Sequence, residues 1–391
     1  MKKLWEKNSV QLNPIIEAFE TKGDLLLDQK LIKYDVVGSL AHAQMLKKIG
    51  ILSTDELSKI KKGLSEIQKL IEEEKFNLTF GDEDMHTKIE NYLTTKYGIV
   101  GQKIHTGRSR NDQVLTAIRL YSKANLITIQ KNVTMLINSF ESFKKKYDTI
   151  PMPGYTHMQK AMPSSVGMWA ESLIESLQDD LIILQTAMTL NDQSPLGSAA
   201  GYGTTLPLDR EYSAKLLGFA KVQKNPLYCQ NSRGKIEAVI LAALVQILLT
   251  INKFASDILL FTTSEFGFFT VSDTITTGSS MMPQKKNVDV AELLRSKVHA
   301  VLGNYTQIVS LSSNLISGYN RDLQDTKKPL IESLKITIDS IKAATVLLQN
   351  ITPNKKILKN AMTEELFAAE KAFALVKQGV PFRKAYLEVK K

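Results

Sequence analysis

Apolar residues recur at helical spacing along most of the chain, and the periodic stretches lengthen from about residue 110. Five such stretches have an apolar face with period i, i+3, i+4: residues 112–147, 161–191, 227–264, 287–313 and 321–350. Helices this long bury their apolar faces only against partners. The sequence therefore predicts an all-α fold with a central long five-helix bundle.

Shorter helical patterns flank the predicted bundle. In the first third, one covers about residues 28–49, and another follows Ser53, where a hydroxyl N-cap precedes first-turn acids. Shorter helices also occupy the chain from about residue 351. This division predicts an N-terminal helical domain over 1–108, the bundle over 109–350 and a C-terminal helical domain over 351–391.

The breaks between the long helices are rich in Gly, Pro and Ser, and polar side chains concentrate there. The breaks cover residues 151–157, 194–207, 278–287 and 317–319. Functional residues are often carried on loops that a rigid scaffold positions. The segment 278–287 reads Gly-Ser-Ser-Met-Met-Pro-Gln-Lys-Lys-Asn, which indicates a mobile, cationic, hydroxyl-bearing loop that leads into a helix.

Composition indicates a soluble protein: 43% of residues are hydrophobic and 23% are charged. The apolar run 238–251 is interrupted by Gln246 and is shorter than the ~18–20 residues of a membrane span, so a buried bundle helix is favoured. The basic start, residues 1–7, lacks the apolar run of a secretory signal. The single cysteine, Cys229, makes no internal disulfide and suits a reducing cytoplasm, which is the expected location.

The net charge of +10 admits nucleic acid or a membrane surface as partners. However, lysines are spread among glutamates, as over residues 59–75, and form no basic stripe, so attraction of anionic small molecules is favoured. The five histidines show no metal-ligand spacing, and we expect no metal. Residues 197–203 fit no nucleotide fingerprint, and we expect no cofactor.

Three further polar clusters admit both structural and chemical interpretations. Residues 105–112 contain two arginines that can grip carboxylates, and they also suit the first turn of a helix capped by Asn111 or Asp112. His157 follows a turn, where it could exchange protons, although a lone histidine there is more often structural. Tyr319, Gln324 and Lys327 lie near one helix start, which in isolation suits a solvated helix entry.

Taken together, these blocks resemble a known family. The 278–287 loop and the Tyr-Thr-His at 155–157 resemble the fumarase/aspartase superfamily, and the blocks at 107–113 and 319–324 resemble its argininosuccinate lyase branch. Residues 38–42, 83–86 and 379–383 also match, so the resemblance runs from about residue 28 to the end. It implies a homotetramer whose core contains twenty helices, with active sites composed from different subunits and no cofactor.

The resemblance also implies an activity, the reversible, non-hydrolytic elimination of argininosuccinate to arginine and fumarate, the last step of arginine biosynthesis. Ser279 would be the general base, Lys285 and Asn287 would hold the carboxylate that takes up charge, and His157 would be the general acid, oriented by Glu292. The residues implied in binding the succinyl carboxylates are Ser109, Arg110, Asn111 and Thr156. Those implied at the arginine end are Tyr319, Gln324 and Lys327. Further possible site residues are His86, Arg108, Gln159 and Ser280.

The chain departs from the family pattern at several positions. Asp24 stands where many members have a serine that contacts substrate, Val288 replaces a common proline, and residues 232–235 lack the commoner acidic pattern. The chain also ends before the usual C-terminal domain, which is therefore expected to be shortened. Two alternatives stay open: another fumarate-releasing enzyme such as adenylosuccinate lyase, and a catalytically silent structural homologue.

Overall fold

The computed structural model describes residues 13–79 and 81–390, so the basic start at residues 1–7 lies outside the described residues. The chain forms two compact units. The first comprises the described residues up to Thr128 together with Leu184–Ala243 and Val301–Lys335. The second comprises Ile129–Ile183, Leu244–Ala300 and the described residues from Ile336. The three consecutive domains expected from the sequence stay a prediction.

The fold is helical, as predicted. The α-helices are α1 Pro14–Lys48, α2 Thr54–Glu72, α3 Met85–Tyr97, α4 Ile99–Gln102, α5 Arg110–Tyr147, α6 Val166–Asn191, α7 Arg210–Leu216, α8 Pro226–Asn231, α9 Lys235–Phe261, α10 Asp289–Leu311, α11 Lys327–Gln349, α12 Lys355–Asn360, α13 Ala368–Lys377 and α14 Phe382–Val389. Short 3₁₀ helices cover Lys103–His105, Asp273–Ile275, Arg321–Thr326 and Glu364–Phe367.

The predicted long helices are present, with differences at their ends that have local causes. Helix α6 begins at Val166 rather than 161 because residues 159–165 pair as a strand. The stretch 227–264 is divided into α8 and α9 at Gly234, whose φ is +83°. Helix α1 begins at Pro14 rather than near 28, because the Asn13 side chain accepts from the Ile15 N–H and caps it.

Among the described residues, four two-stranded pairs hold the loops. Their strands are β1 Pro151–Thr156, β2 Gln159–Ser165, β3 Gln193–Ser194, β4 Lys221–Val222, β5 Phe269–Val271, β6 Thr277–Gly278, β7 Lys286–Asn287 and β8 Ile351–Pro353. The pairs β1–β2, β5–β8 and β6–β7 are antiparallel, and β3–β4 is parallel. These short pairs leave the fold all-α and fix the geometry of two loops that carry predicted site residues.

Each unit has its own apolar core. In the first unit, Leu196, Leu217 and Phe219 pack in one buried cluster with Leu120. In the second, the Trp169 ring packs among aromatic rings that include Phe254, while its Nε1–H donates to Asp257 Oδ2 at 2.9 Å. The partner for the indole N–H removes the cost of burying it.

One helical stretch is apolar enough to pass a test for membrane spans. Among the described residues, the region Pro226–Phe261 reaches a mean hydropathy of 2.0 over its most apolar window, and 61% of that window is buried within the protein. Residues such as Ile240, Leu244 and Leu248 are fully or almost fully buried. Packing inside the protein accounts for the apolar character of this stretch, in agreement with the predicted buried bundle helix.

Candidate active site

The predicted site residues fall into two groups, one in each unit. In the first unit most of them, though not Arg108 or Ser109, line a cleft of about 210 Å³, which we call the mixed-charge cleft. Its lining comprises Glu20, Thr21, Asp24, Asp28, Glu83, Asp84, His86, Arg110, Asn111, Val114, Arg233, Tyr319, Arg321, Gln324 and Lys327. In the second unit the predicted residues lie on two hairpins and at the start of α10. The cleft brings carboxylates and cations close together, so its ion pairs decide which charges remain for a ligand.

Lys327 is the first residue of α11, and its ammonium group is held by two carboxylates. Its Nζ donates to Asp28 Oδ1 at 2.8 Å and also to Asp24, while the Lys327 side chain is only 3% exposed. Burial and the nearby Asp28 raise the pKa of Asp24, and Lys327 and Arg233 oppose that rise. Lys327 therefore holds two carboxylates of the cleft in place.

Arg110, predicted to bind a substrate carboxylate, is also paired within the protein. Its guanidinium contacts both oxygens of Glu83, its Nε lies 3.2 Å from Asp84 Oδ2, and its Nη2 donates to Thr87 Oγ1 at 2.9 Å. The side chain is half-buried and lines the cleft. These contacts orient the guanidinium at the start of α5.

His86, a further possible site residue, lies buried in the wall of the cleft. Its Nδ1 lies 2.8 Å from Asp35 Oδ2. Burial lowers the pKa of His86, but the carboxylates of Asp35, Asp84 and Asp28 outweigh it and raise that pKa overall. The imidazole is thereby biased towards its protonated form.

The start of α5 differs from the predicted cap. The helix begins at Arg110, so Asn111 and Asp112 lie in its first turn rather than at the cap position. Ser109 Oγ accepts from the Asn111 N–H at 3.3 Å, and the Ser109 N–H donates to Asp112 Oδ1 at 2.9 Å. The other oxygen of Asp112 accepts from the N–H groups of Gly197 and Ala199. Burial nevertheless raises the pKa of Asp112 to about 6.

The 278–287 loop is closed at its base by the β6–β7 pair, in which Gly278 is opposite Lys286. Ser279 follows the first strand, and its Oγ accepts from the N–H groups of Met281 at 3.3 Å and Met282 at 3.1 Å. Lys285 precedes the second strand and is exposed. A hydroxyl oxygen that faces two N–H donors is set up to bear negative charge.

His157 occupies the tip of the β1–β2 hairpin. Thr156 pairs with Gln159, so His157 and Met158 form a two-residue turn, and both have positive φ, 52° and 61°. This is the geometry of a type I′ turn, for which Asn and Gly are the favoured residues. A histidine held in this conformation, exposed at a hairpin tip, is an outlier of the kind found at functional sites.

The remaining predicted residues are placed as follows. Thr156, Gln159 and Ser280 are exposed, and Glu292 is exposed in the first turn of α10. Asn287 Nδ2 donates to Thr277 Oγ1 at 3.5 Å, across the base of its loop. Arg108 is buried and donates from Nη1 to Ser39 Oγ at 2.9 Å, outside the cleft lining.

Several charged residues of the cleft had no role predicted from the sequence, and Asp24 and Arg233 are two of them. Asp24 and Arg233 stood out only as departures from the family pattern, yet both line the cleft. Lys327, which donates a hydrogen bond to Asp24, is 303 positions away from it in the sequence. Arg233 lies between α8 and α9. Spacing in the sequence carries no signal for contacts between such distant segments.

In the part of the chain that the structure describes, neither a metal site nor a reactive thiol is apparent. Within residues 13–79 and 81–390, no three His, Cys, Asp or Glu side chains are grouped so that they could hold a metal ion. Cys229 is buried, and its Sγ donates to the Gln223 carbonyl at 3.3 Å. Burial raises the pKa of this thiol, which disfavours the nucleophilic thiolate.

Comparisons with known proteins identify the family of the chain. A family model described as "Lyase" matches residues 7–303. The chain is 45% identical over 384 residues to the argininosuccinate lyase of Thermotoga neapolitana, covering 98% of this chain and 96% of that protein. It is 42% identical over 387 residues to the argininosuccinate lyase of Phocaeicola vulgatus, covering 99% and 86%.

Solved structures agree on the fold. A variant of EDDS lyase with bound fumarate matches with a TM-score of 0.83 at 23% identity, covering 98% of this chain and 76% of that one. The class II fumarase of Schistosoma mansoni matches with a TM-score of 0.81 at 16% identity, covering 93% and 87%. From its family match and from relatives identical at more than two residues in five over nearly the whole length, the chain belongs to the argininosuccinate lyase family and is a lyase.

Proposed function

We propose that this chain cleaves argininosuccinate to arginine and fumarate by elimination, without hydrolysis and without a cofactor. The observation that carries the proposal is the Ser279 hydroxyl, which faces two backbone N–H groups in a loop whose other side carries Lys285. The names of the relatives supply the substrate class. The mixed-charge cleft supports it further, because argininosuccinate carries both carboxylates and cationic groups.

In the proposed mechanism, Ser279 removes a proton from the succinyl carbon that neighbours a carboxylate. The electron pair left on that carbon spreads onto the carboxylate, and Lys285 and Asn287 stabilise the charge that develops there. Serine is a weak base at its ordinary pKa, so it needs the loop N–H groups, the Lys285 charge and exclusion of water. Glycine-led mobility of the loop suits a closure step on substrate.

His157 would donate the proton that the leaving nitrogen needs, with Glu292 orienting the imidazole. Once the carbon–nitrogen bond breaks, the electron pair of the carbanion becomes the double bond of fumarate, and arginine leaves with the proton. Ser109, Arg110, Asn111 and Thr156 would bind the succinyl carboxylates. Tyr319, Gln324 and Lys327 would act at the arginine end.

We further propose a homotetramer with composite sites, acting in the cytoplasm as the last step of arginine biosynthesis. The residues that the mechanism requires are divided between two compact units. Sites assembled from several subunits would bring the two groups together. Gel filtration with light scattering tests this: four chains per particle are expected, and an active monomer would contradict it.

The alternatives make different demands on the cleft. The substrate of an adenylosuccinate lyase carries a purine, and a purine would not need a set of charges suited to an amino-acid end. A silent structural homologue would not need Ser279, Lys285, His157 and Glu292, all of which are present. Fumarate release measured on argininosuccinate and adenylosuccinate in parallel separates the three cases.

A further inference from the structure

Asp112 is a fully buried carboxylate that accepts backbone N–H groups from two separate segments of the chain. Its side chain is 0% exposed. Its Oδ1 accepts from the Ser109 N–H at 2.9 Å, and its Oδ2 accepts from the N–H groups of Gly197 at 2.9 Å and Ala199 at 3.0 Å. A buried carboxylate is costly unless it is hydrogen-bonded, and here each oxygen is bonded to a different segment. Asp112 therefore joins the start of α5 to the loop that follows β3.

The segment 195–199 of that loop is also held from another side by Arg210, the first residue of α7. The Arg210 Nε donates to the Leu196 carbonyl at 3.0 Å, and its Nη groups donate to carbonyls just after β4. Ala199 has a φ of 52°, which is unfavourable for an alanine, and its hydrogen bond to Asp112 helps to keep it there. The carboxylate is thus bonded to a segment that is itself fixed.

The turn that Asp112 holds carries residues proposed to bind the succinyl carboxylates. Arg110 and Asn111 line the mixed-charge cleft, whereas Asp112 is not part of its lining. The Ser109 Oγ ties the turn together further, since it accepts from the Asn111 N–H at 3.3 Å. The backbone of residues 109–111 is therefore held from behind, by a carboxylate outside the cleft lining.

A carboxylate is suited to this position because it offers an acceptor in both directions. The isosteric amide has one oxygen and one NH₂ group, so an asparagine would turn a donor towards one of the two segments. Burial raises the pKa of Asp112 to about 6, and the three N–H groups and the nearby Arg108 oppose that rise. At neutral pH the carboxylate is ionised and can accept all three hydrogen bonds.

We propose that Asp112 is a positioning residue for the end of the substrate that becomes fumarate. It holds the backbone of residues 109–111 against the fixed segment 195–199, so that the side chains of the turn meet the succinyl carboxylates. The inference rests on the proposed function, in which those side chains bind that end. Asp112 itself does not touch the substrate and acts through the turn.

The test compares the two products as ligands of the full-length protein. Calorimetry measures the dissociation constants of fumarate and of arginine for the wild type and for Asp112→Asn. The variant should bind fumarate about tenfold more weakly or worse, the loss expected when a buried hydrogen bond to a charged group is broken. Arginine binding should change by less than about twofold, because the residues proposed for that end lie on another segment. A general loosening of the unit would instead weaken both ligands alike.

Asp209→Asn is the matched control. It makes the same change to a carboxylate that accepts a backbone N–H, that of Tyr212 at 2.9 Å, at the end of the same loop. An asparagine caps α7 as well as an aspartate does, so both dissociation constants should stay at their wild-type values. Arg210→Lys serves if Asp112→Asn does not fold, because it loosens the segment 195–199 from its other side. It should also weaken fumarate binding more than arginine binding.

Two results would overturn the positioning role. One is an Asp112→Asn protein, folded by circular dichroism, that binds fumarate as tightly as the wild type. The other is an equal loss of affinity for the two ligands. The same two results with Arg210→Lys would overturn it where that variant is used.

The proposed function can fail separately, because fumarate release is measured on the same preparations. If the wild type cleaves argininosuccinate but Asp112→Asn binds fumarate normally, the positioning role is wrong and the activity stands. If the wild type cleaves nothing yet binds added fumarate, and Asp112→Asn selectively loses that binding, the activity is wrong and the positioning role stands. A wild type that does not bind fumarate would overturn both.

Discussion

Ser279 and Lys285 lie on the two sides of one loop, directly after and directly before the paired residues Gly278 and Lys286. The short β6–β7 pair therefore fixes where the loop starts and ends while leaving both side chains outside the ladder. Ser279 gains two N–H donors from Met281 and Met282. Lys285 is exposed. The neighbouring Lys286, by contrast, forms an ion pair with Asp273 at 2.5 Å.

Ser279→Ala is expected to lower kcat for argininosuccinate cleavage by about 100- to 10,000-fold, because it removes the proposed base. Binding of arginine should change little. Steady-state kinetics and calorimetry check the two parts. Ser142→Ala is the control, since it removes an exposed hydroxyl on α5 that has no predicted role in the site, and it should stay near wild type. Turnover of Ser279→Ala at a near wild-type rate would exclude Ser279 as the base.

Substitutions at His157 separate chemistry from turn geometry. His157→Asn keeps a residue that tolerates positive φ, so thermal stability should be unchanged while kcat falls by about 100-fold or more. His157→Val places a β-branched residue at φ 52° and should lower the free energy of unfolding by about 1–3 kcal/mol. Thermal melts and fumarate assays on both variants give the comparison. Full activity in His157→Asn would remove the histidine from proton transfer.

The helical periodicity of the sequence predicted the long helices, because it extends over many residues. The hairpins depend on local turn chemistry, which the periodicity does not show. Helix α5 extends from Arg110 to Tyr147, close to the predicted 112–147, because its apolar face repeats throughout. The hairpin at His157 was not anticipated, because neither His157 nor Met158 is a usual type I′ residue.

The contacts between the charged residues of the cleft could not be predicted from the sequence, for a different reason. The contact between Lys327 and Asp24 joins segments 303 positions apart, and the orphaned guanidinium of Arg233 is visible only once its neighbours are paired elsewhere. The family resemblance brought Lys327 to attention as a ligand contact. In the structure its ammonium is held by two carboxylates, and its contact with a ligand stays a prediction.

Lys327→Met is expected to destabilise the protein by about 3–5 kcal/mol, because two carboxylates of the cleft lose their shared partner. On the proposed function, KM for argininosuccinate should also rise more than kcat falls, because Lys327 acts at the arginine end of the substrate. Lys328→Met, at the adjacent exposed lysine, should leave both quantities unchanged. Chemical denaturation and steady-state kinetics measure them. A fall in kcat with KM unchanged would contradict a role of Lys327 in substrate binding.

Asp180 predicts a pH dependence of stability. It is buried on α6 and accepts from Thr250 Oγ1–H at 2.7 Å, and burial raises its pKa from 3.8 to about 6. The folded state therefore keeps a proton that the unfolded state has lost between about pH 4 and 6. The free energy of unfolding should fall across that window as pH rises, by about 2–3 kcal/mol.

Asp180→Asn should remove this part of the slope and stabilise the protein above pH 6, because the amide oxygen still accepts from Thr250 without carrying charge. Asp179→Asn, at the exposed neighbour, should leave most of the slope. Denaturation midpoints between pH 4 and 8 give the comparison. Parallel curves for wild type and Asp180→Asn would show that Asp180 does not titrate in this window.

The central claim is the substrate, and fumarate release tests it most directly. Purified protein is mixed separately with argininosuccinate, adenylosuccinate and aspartate, and fumarate is followed by its ultraviolet absorbance. We expect release from argininosuccinate alone, with arginine formed in equal amount. Release from adenylosuccinate or aspartate instead, or from none of the three by a folded tetramer, would contradict the account.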